Sequence, residues 1–354
     1  MFATHIDTLV NEAIHAHMFP GAVVHAQRAG QTLHYAAYGN TMYGDPGSHP
    51  VTCEMMYDIA SLTKPFTATA ALILMDAGLL RLDDPLQRFL PAMRAHGVTL
   101  RHLFTHSAGL EIRLSSLREA GAAGIRDAIQ HLEPLHPPGT YLSYANINTL
   151  LLGEVVAAVF GAGLDAAIHE LILAPLEMRD TTFCPAPHLR ERIAPTEWDE
   201  HWRGGLVHGV VHDESAYALG GVAGHAGLFS TAADMARFAS LWLQGGAWGG
   251  RQILREATVA LAFRDYTSHM RTPTGQPLAS GLGWARDRSA FMGSAPAGTI
   301  GHTGFTGTVI VIIPQVQAAL VLLTNRTYPY RTPPPYRHHP LVAQMVAATT
   351  RATP

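Results

Sequence analysis

Ser61-Leu62-Thr63-Lys64 stands at the head of an apolar stripe, Leu62, Phe66, Ala70, Ile73 and Leu74, that runs to Gly78. On a helix, residues i and i+3 share a face, so this hydroxyl and this amine point to the same side. A serine is a weak nucleophile until a base takes its proton. A desolvated lysine can be that base, because burial favours the neutral amine, whereas arginine stays protonated at any working pH. Composition sharpens the point. Of 24 Lys+Arg residues, Lys64 is the single lysine and the other 23 are arginine. Codon bias accounts for the excess of arginine but not for the one position that stayed lysine. A helix start adds unpaired N–H groups and partial positive charge, which favour a developing anion. Pro65 is tolerated there, since first-turn N–H groups have no intrahelical partner. Alone, a four-residue pattern with two fixed types recurs by chance.

Two further segments carry polar groups suited to the same chemistry. Tyr144-Ala145-Asn146 follows a Pro-Pro-Gly-Thr turn and opens a helix over 147–160. A phenol can relay a proton and an amide can bind a substrate carbonyl. A helix-capping segment with a packed tyrosine has the same residues. His302-Thr303-Gly304 closes a strand and leads into Phe305-Thr306-Gly307. Glycine beside edge-strand N–H groups lets a substrate approach closely, although an ordinary strand end reads the same way.

A competing site is His208-Gly-Val-Val-His212-Asp213-Glu214, followed by His225 in GGVAGHAG. Histidines at i and i+4 can share a metal. With 21 histidines in the chain, however, close pairs are expected, and His102 and His106 make another. No HExxH pattern occurs. The segment is read as a loop rimming the cleft, with His225 near the substrate and no metal. A metal-assisted hydrolase using His208, His212 and Asp213 is the lesser alternative. GGVAGHAG does not match a dinucleotide fingerprint, and neither a P-loop nor a G-x-S-x-G elbow is present, so no cofactor is called for.

S-x-x-K, Y-x-N and H-T-G, in this order, resemble the signature set of the β-lactamase and penicillin-binding-protein superfamily. With tyrosine in the second motif, the resemblance is to class C β-lactamases, D,D-peptidases and family VIII-type esterases. The flanks YDIASLTKPFTATAALILMDAGLLRLDDPLQRFLP, VTLRHLFTHSAGL, PPGTYLSYANINTLLLG, GLFSTAADMARF and GHTGFTGT are similar to that family, and the resemblance spans about 21–325. The VHDE and GGVAGHAGLFSTA segments resemble its penicillin-binding-protein-related branch. The resemblance implies that Ser61 forms an acyl-enzyme, with Lys64 and Tyr144 sharing base and acid work. Asn146 would hold the substrate amide, and His302, Thr303, Gly304 and Phe305 would line the substrate. The oxyanion would sit between the N–H groups of Ser61 and Phe305. One position departs from the pattern: His302 stands where penicillin-recognising members usually carry lysine. A mostly neutral histidine binds a carboxylate less strongly, which weakens β-lactam hydrolysis and suits esterases and D-amino-acid peptidases equally. The implied substrate is a small ester, amide or β-lactam. The rival from another class is a catalytically weak binding protein that keeps the fold.

The elements that must position these residues follow from periodicity. Ile6, Leu9, Val10, Ile14 and Met18 mark an N-terminal amphipathic helix. Strands are expected at 23–27, 32–38, 299–302, 307–313 and 318–324, and a closing helix at 341–351 after the Pro-rich connector 331–340. Between them, RLDDPLQRFLP, VTLRHLFTH, YANINTLLLGEVVAAVF and LDAAIHELILAPL read as short helices. The fold class is therefore α/β, of the α+β kind. An antiparallel sheet from both chain ends (1–78 and 231–354) is flanked by terminal helices, with a mostly helical inserted region (79–230) and the active site between them. At 354 residues, with 47% hydrophobic and 14% charged residues, the chain can bury a large core. A net charge of −3 and no basic stripe argue against nucleic acid. No apolar run reaches the roughly 20 residues of a membrane span. MFATHIDTLV lacks the look of a signal peptide, so a cytoplasmic chain is expected, with Cys53 and Cys184 as reduced core residues. Nothing in the sequence speaks to oligomeric state.

Overall fold

A computed structural model describes residues 2–331 and 336–353. Six antiparallel strands form the main sheet: β1 (Gly21–Arg28), β2 (Gln31–Gly39), β3 (Ala285–Arg286), β4 (Ile300–Thr303), β5 (Val309–Ile313) and β6 (Ala318–Thr324). Their order is β3-β4-β5-β6-β1-β2. The two chain ends meet where β1 pairs with β6, Ala22 opposite Thr324 and Arg28 opposite Ala318. The expected hairpin between β5 and β6 turns through Pro314–Val316, with Gln317 at φ +51°.

Both central strands are buried throughout, so each face of the sheet must be covered. Side chains alternate across a strand. Val309, Val311, Ile313, Leu320 and Leu322 face one cluster with α1 (Phe2–His15) and the C-terminal helix His339–Arg351. Ile310, Ile312, Val321 and Leu323 join the larger cluster on the other face. There Gln27 of β1 reaches across to the Ala236 carbonyl and the Ser240 hydroxyl of the helix Ala232–Leu243.

Beyond that helix lies α2 (Thr63–Asp76), whose side chains from Thr63 to Leu72 are all buried. A helix buried on every side is fixed by its whole surroundings rather than by one stripe. It ends as expected at Gly78, φ +78°, where Leu79 N–H donates to Leu74 O and Gly78 N–H to Met75 O. It packs against α3 (Asn146–Phe160), in which Leu150, Leu151, Leu152, Val155 and Val156 are core.

Several expectations change. RLDDPLQRFLP holds only the 3-10 turn Leu86–Arg88, because Pro85 and Pro91 leave room for little more. LDAAIHELILAPL splits into Leu164–Ile168 and a π turn, His169–Leu173. The inserted region also contains short strands, among them Glu197–Asp199 and Leu228–Ser230. Cys53 and Cys184 are free but not core: Cys184 is exposed, on a turn at φ +44°. Of the expected connector, residues 332–335 lie outside the described residues. Among the described residues, no single helix is long and apolar enough to cross a membrane.

Candidate active site

Ser61 sits in a 3-10 turn, Ala60–Leu62, that runs straight into α2. The α-helix therefore starts two residues later than Ser61, but residues i and i+3 of a 3-10 turn eclipse, so the shared face survives. Lys64 Nζ donates to Ser61 Oγ at 2.7 Å and to the His225 carbonyl at 3.2 Å. The amine is 1% exposed, whereas Ser61 opens onto a cleft. Just before Ser61, Ala60 has φ +48°, a left-handed conformation that costs a non-glycine residue about 1–2 kcal/mol. Its surroundings hold it there. Ala60 N–H donates to Asp58 Oδ1 at 2.8 Å, and Ile59 N–H to Leu228 O at 3.0 Å. The Thr306 and Thr308 hydroxyls donate to Asp58 O and Ile59 O at 2.7 and 3.0 Å. The Asp58 carboxyl also accepts His212 N–H, and burial raises its pKa against the pull of these bonds.

The turn after β4 closes on the Ser61 turn from the other side. A Cβ at Gly304 would lie 2.1 Å from Thr308 Oγ1 and 2.6 Å from Ile59 O, so only glycine lets the two turns touch. Gly304 N–H is occupied by Thr308 O at 2.7 Å, and the Phe305 N–H follows it at the cleft wall. His302 is buried, with Nδ1–H donating to Thr303 O at 3.0 Å. Burial first, then Lys64 and His106 nearby, push its pKa down to about 3. The imidazole is therefore neutral at working pH and supplies no cation to the site.

Tyr144 lies two residues before α3, its ring centre 4.9 Å from Lys64 Nζ. His106 packs on that ring at 4.7 Å and donates Nδ1–H to Ala145 O at 3.1 Å. Burial, with Lys64 beside it, likewise pushes His106 to about 3. Asn146 opens α3, and its Nδ2 reaches Asp213 Oδ2 at 3.5 Å. Asp213 caps the short helix Glu214–Ala218 through Ala216 N–H, and its Oδ1 also meets Ser215 Oγ at 2.6 Å and His225 Nε2 at 3.2 Å. The paired His225 and these donors hold its pKa below the usual carboxylate range despite burial.

Ser61, Tyr144, Asn146, His302, Thr303, Gly304 and Phe305 all line one cleft of about 1230 Å³. Lys64 lies beneath its floor. His225 does not line it: the side chain is fully buried and turned to Asp213, and only its carbonyl, on Lys64, touches the machinery. The loop carrying it is pressed against α3, where a Cβ at Gly224 would lie 2.1 Å from Thr149 O. The three residues of the metal alternative diverge. His208 bonds the carbonyls of Arg190 and Ile193, His212 bonds Glu197, and Asp213 faces His225. Sequence reasoning missed His106 as a wall of the site, although it stands in the family-like segment VTLRHLFTHSAGL. It also missed Arg288, which reaches the cleft from a loop with no motif of its own.

Comparison with known proteins bears on the family and the fold. The Beta-lactamase family description matches residues 6–342. A protein of Escherichia coli (strain K12) named "Putative D-alanyl-D-alanine carboxypeptidase" is 33% identical over 313 residues, covering 78% of this chain and 70% of that protein. Among solved structures, EstCE1, described as a hydrolase with promiscuous acyltransferase activity, superposes with a TM-score of 0.78 at 24% identity, over 99% of this chain and 98% of that one. The octameric penicillin-binding protein homologue from Pyrococcus abyssi gives 0.73 at 22% identity, over 92% and 74%. By sequence along most of its length and by fold along nearly all of it, the chain belongs to the β-lactamase family of serine hydrolases.

Proposed function

We propose that this hydrolase works through an acyl-enzyme on Ser61, with small esters and amides, D-alanyl peptides among them, as substrates. The observation that carries the reading is the 2.7 Å contact between Lys64 Nζ and Ser61 Oγ at the floor of an open cleft. As Oγ bonds to the substrate carbonyl carbon, the Ser61 proton passes along this contact to Nζ. The oxyanion is held by the N–H groups of Ser61 and Phe305, donors of a kind worth a factor of about 100–1,000 in rate. As the bond to the leaving oxygen or nitrogen breaks, the proton returns to that atom from Lys64 by way of the Tyr144 phenol. Water then attacks the acyl carbon by the same relay in reverse and frees Ser61. Asn146 binds the amide on the acyl side. His225 acts from below, through its carbonyl on Lys64.

Specificity turns on charge. His302 is neutral, and the cleft-lining cation beside it, placed to meet a carboxylate-bearing leaving group, is Arg288. This guanidinium lines the cleft, is close enough to His302 to depress its pKa, and is fixed by the Ala279 and Arg286 carbonyls and the Ser280 hydroxyl.

A fluorophosphonate and a chromogenic short-chain p-nitrophenyl ester test the reading. We expect one adduct per chain by intact mass, and ester turnover, both lost in Ser61→Ala. Neither adduct nor turnover in the wild-type chain would favour a binding protein that keeps the fold. Turnover that survives Ser61→Ala would refute the assignment of the nucleophile.

A further inference from the structure

Phe305 provides one of the two N–H groups proposed for the oxyanion, so whatever fixes Phe305 fixes part of the catalytic geometry. The His212 imidazole stacks on its ring, centres 5.7 Å apart and planes 24° from parallel. The Arg326 guanidinium lies 4.8 Å from the same ring centre. His212 is buried and tied in three further ways. Its Nε2–H donates to Glu197 Oε2 at 2.8 Å, and its backbone N–H donates to Asp58 Oδ2 at 2.6 Å. Its carbonyl accepts from Arg203 Nη2 at 2.8 Å. Glu197 is gripped in turn by Arg331, whose Nε lies 2.7 and 2.9 Å from its two oxygens, and Arg331 also holds Glu214 at 2.7 Å. The other oxygen of Asp58 bonds Ala60 N–H, one residue before Ser61.

His212 is thus bonded through Asp58 to the turn that carries one oxyanion donor, and packed against the residue that carries the other. We infer that His212 is a positioning residue that sets the spacing of the Ser61 and Phe305 N–H groups, with Glu197 and Arg331 fixing its ring. The inference rests on the acyl-serine reading and extends it to a residue outside the three motifs. The physical ground is geometric. Both donors must come within about 2.7–3.1 Å of the oxyanion, a position occupied only as the carbonyl becomes tetrahedral. Loosening their spacing therefore weakens the transition state more than the bound substrate. A polar network whose inner members, His212, Glu197 and Asp58, are buried and bonded holds one such spacing.

The test compares wild type, His212→Ala and His212→Phe by ester kinetics, fluorophosphonate adduct mass and thermal melting. His212→Ala is expected to lower kcat by about 10-fold or more while KM stays within about threefold, because only transition-state contacts are lost. His212→Phe keeps a flat face against Phe305 without the Glu197 bond, and is expected to recover most of the rate. An unchanged kcat in His212→Ala overturns the inference. So does a loss confined to KM, or a rate loss matching the fraction of chain that is unfolded. If wild type forms no adduct, the acyl-serine reading fails and takes this inference with it. If wild type is acylated while His212→Ala matches it, this inference alone fails.

Discussion

At the scale of single residues, Lys64 and Ser61 were legible because their relation is local: three positions along one turn fix the shared face before any packing is known. Lys64→Arg tests the proton transfer directly. Guanidinium stays protonated and cannot take the Ser61 proton, so acylation should fall below detection, as the loss of fluorophosphonate adduct would report. Retained acylation would remove Lys64 as the base. Arg288→Ala separates substrate classes. Cleavage of a D-alanyl peptide with a free carboxylate should fall about 10-fold or more, while a neutral p-nitrophenyl ester is little affected, since a charge-assisted bond is lost from one substrate only. Equal loss on both would mean that Arg288 holds the wall and not the substrate. His225 shows where local reading ran out. Its place in a glycine-rich loop suggested the cleft, but side-chain direction was decided by Asp213, 12 positions away, which draws the ring beneath the floor.

At the scale of elements, periodicity gave five of the six main-sheet strands, all but the two-residue β3, and the helices α1, α2 and α3 to within a few residues. It did less well where prolines cut the pattern short, as at Leu86–Arg88, or where a helix changes its winding, as at His169–Leu173. It was silent on how β4 meets the Ser61 turn. That contact is decided by the missing side chain at Gly304. Gly304→Ala would drive a Cβ into the Ile59 carbonyl and the Thr308 hydroxyl. Backbone on the far side cannot yield cheaply, so stability should drop by about 1–3 kcal/mol, and activity should fall further than stability because Phe305 shifts away from Ser61. Melting temperature and kcat measured on the same sample check both, and a variant that melts and turns over like wild type would show the junction to be slack.

At the scale of the whole molecule, many histidines are folded into places that reject a proton. Burial lowers His25 and His339 to about 4, and His106, His302 and His338 to about 3. The unfolded chain would protonate all five near 6.5, so between that pH and the folded values unfolding takes up protons. Their contribution is complete above about pH 6.5 and is lost as pH falls towards 4 and 3. Glu197, held near 2 against burial by His212 and Arg331, adds a loss of the same sign at lower pH. Asp58 and Asp234, raised by burial, run the other way and are outnumbered. The melting temperature should therefore fall from pH 7.5 to 4.5, and a flat profile would contradict this.

The sequence by itself determined that Ser61 and Lys64 meet, the order of the three motifs and an antiparallel sheet closed by both chain ends, because each of these is written in spacing over a few residues or in a strand's alternation. Only the tertiary structure decided that burial holds His302 neutral, that Arg288 reaches the cleft, that the buried His225 ring pairs with Asp213 rather than lining the cleft, and that His212 stands between Asp58 and Phe305. Those outcomes depend on burial and on partners up to about 250 positions away along the chain, as in the bond from Thr306 to Asp58. Desolvation and contact belong to the packed molecule, and no local pattern encodes them.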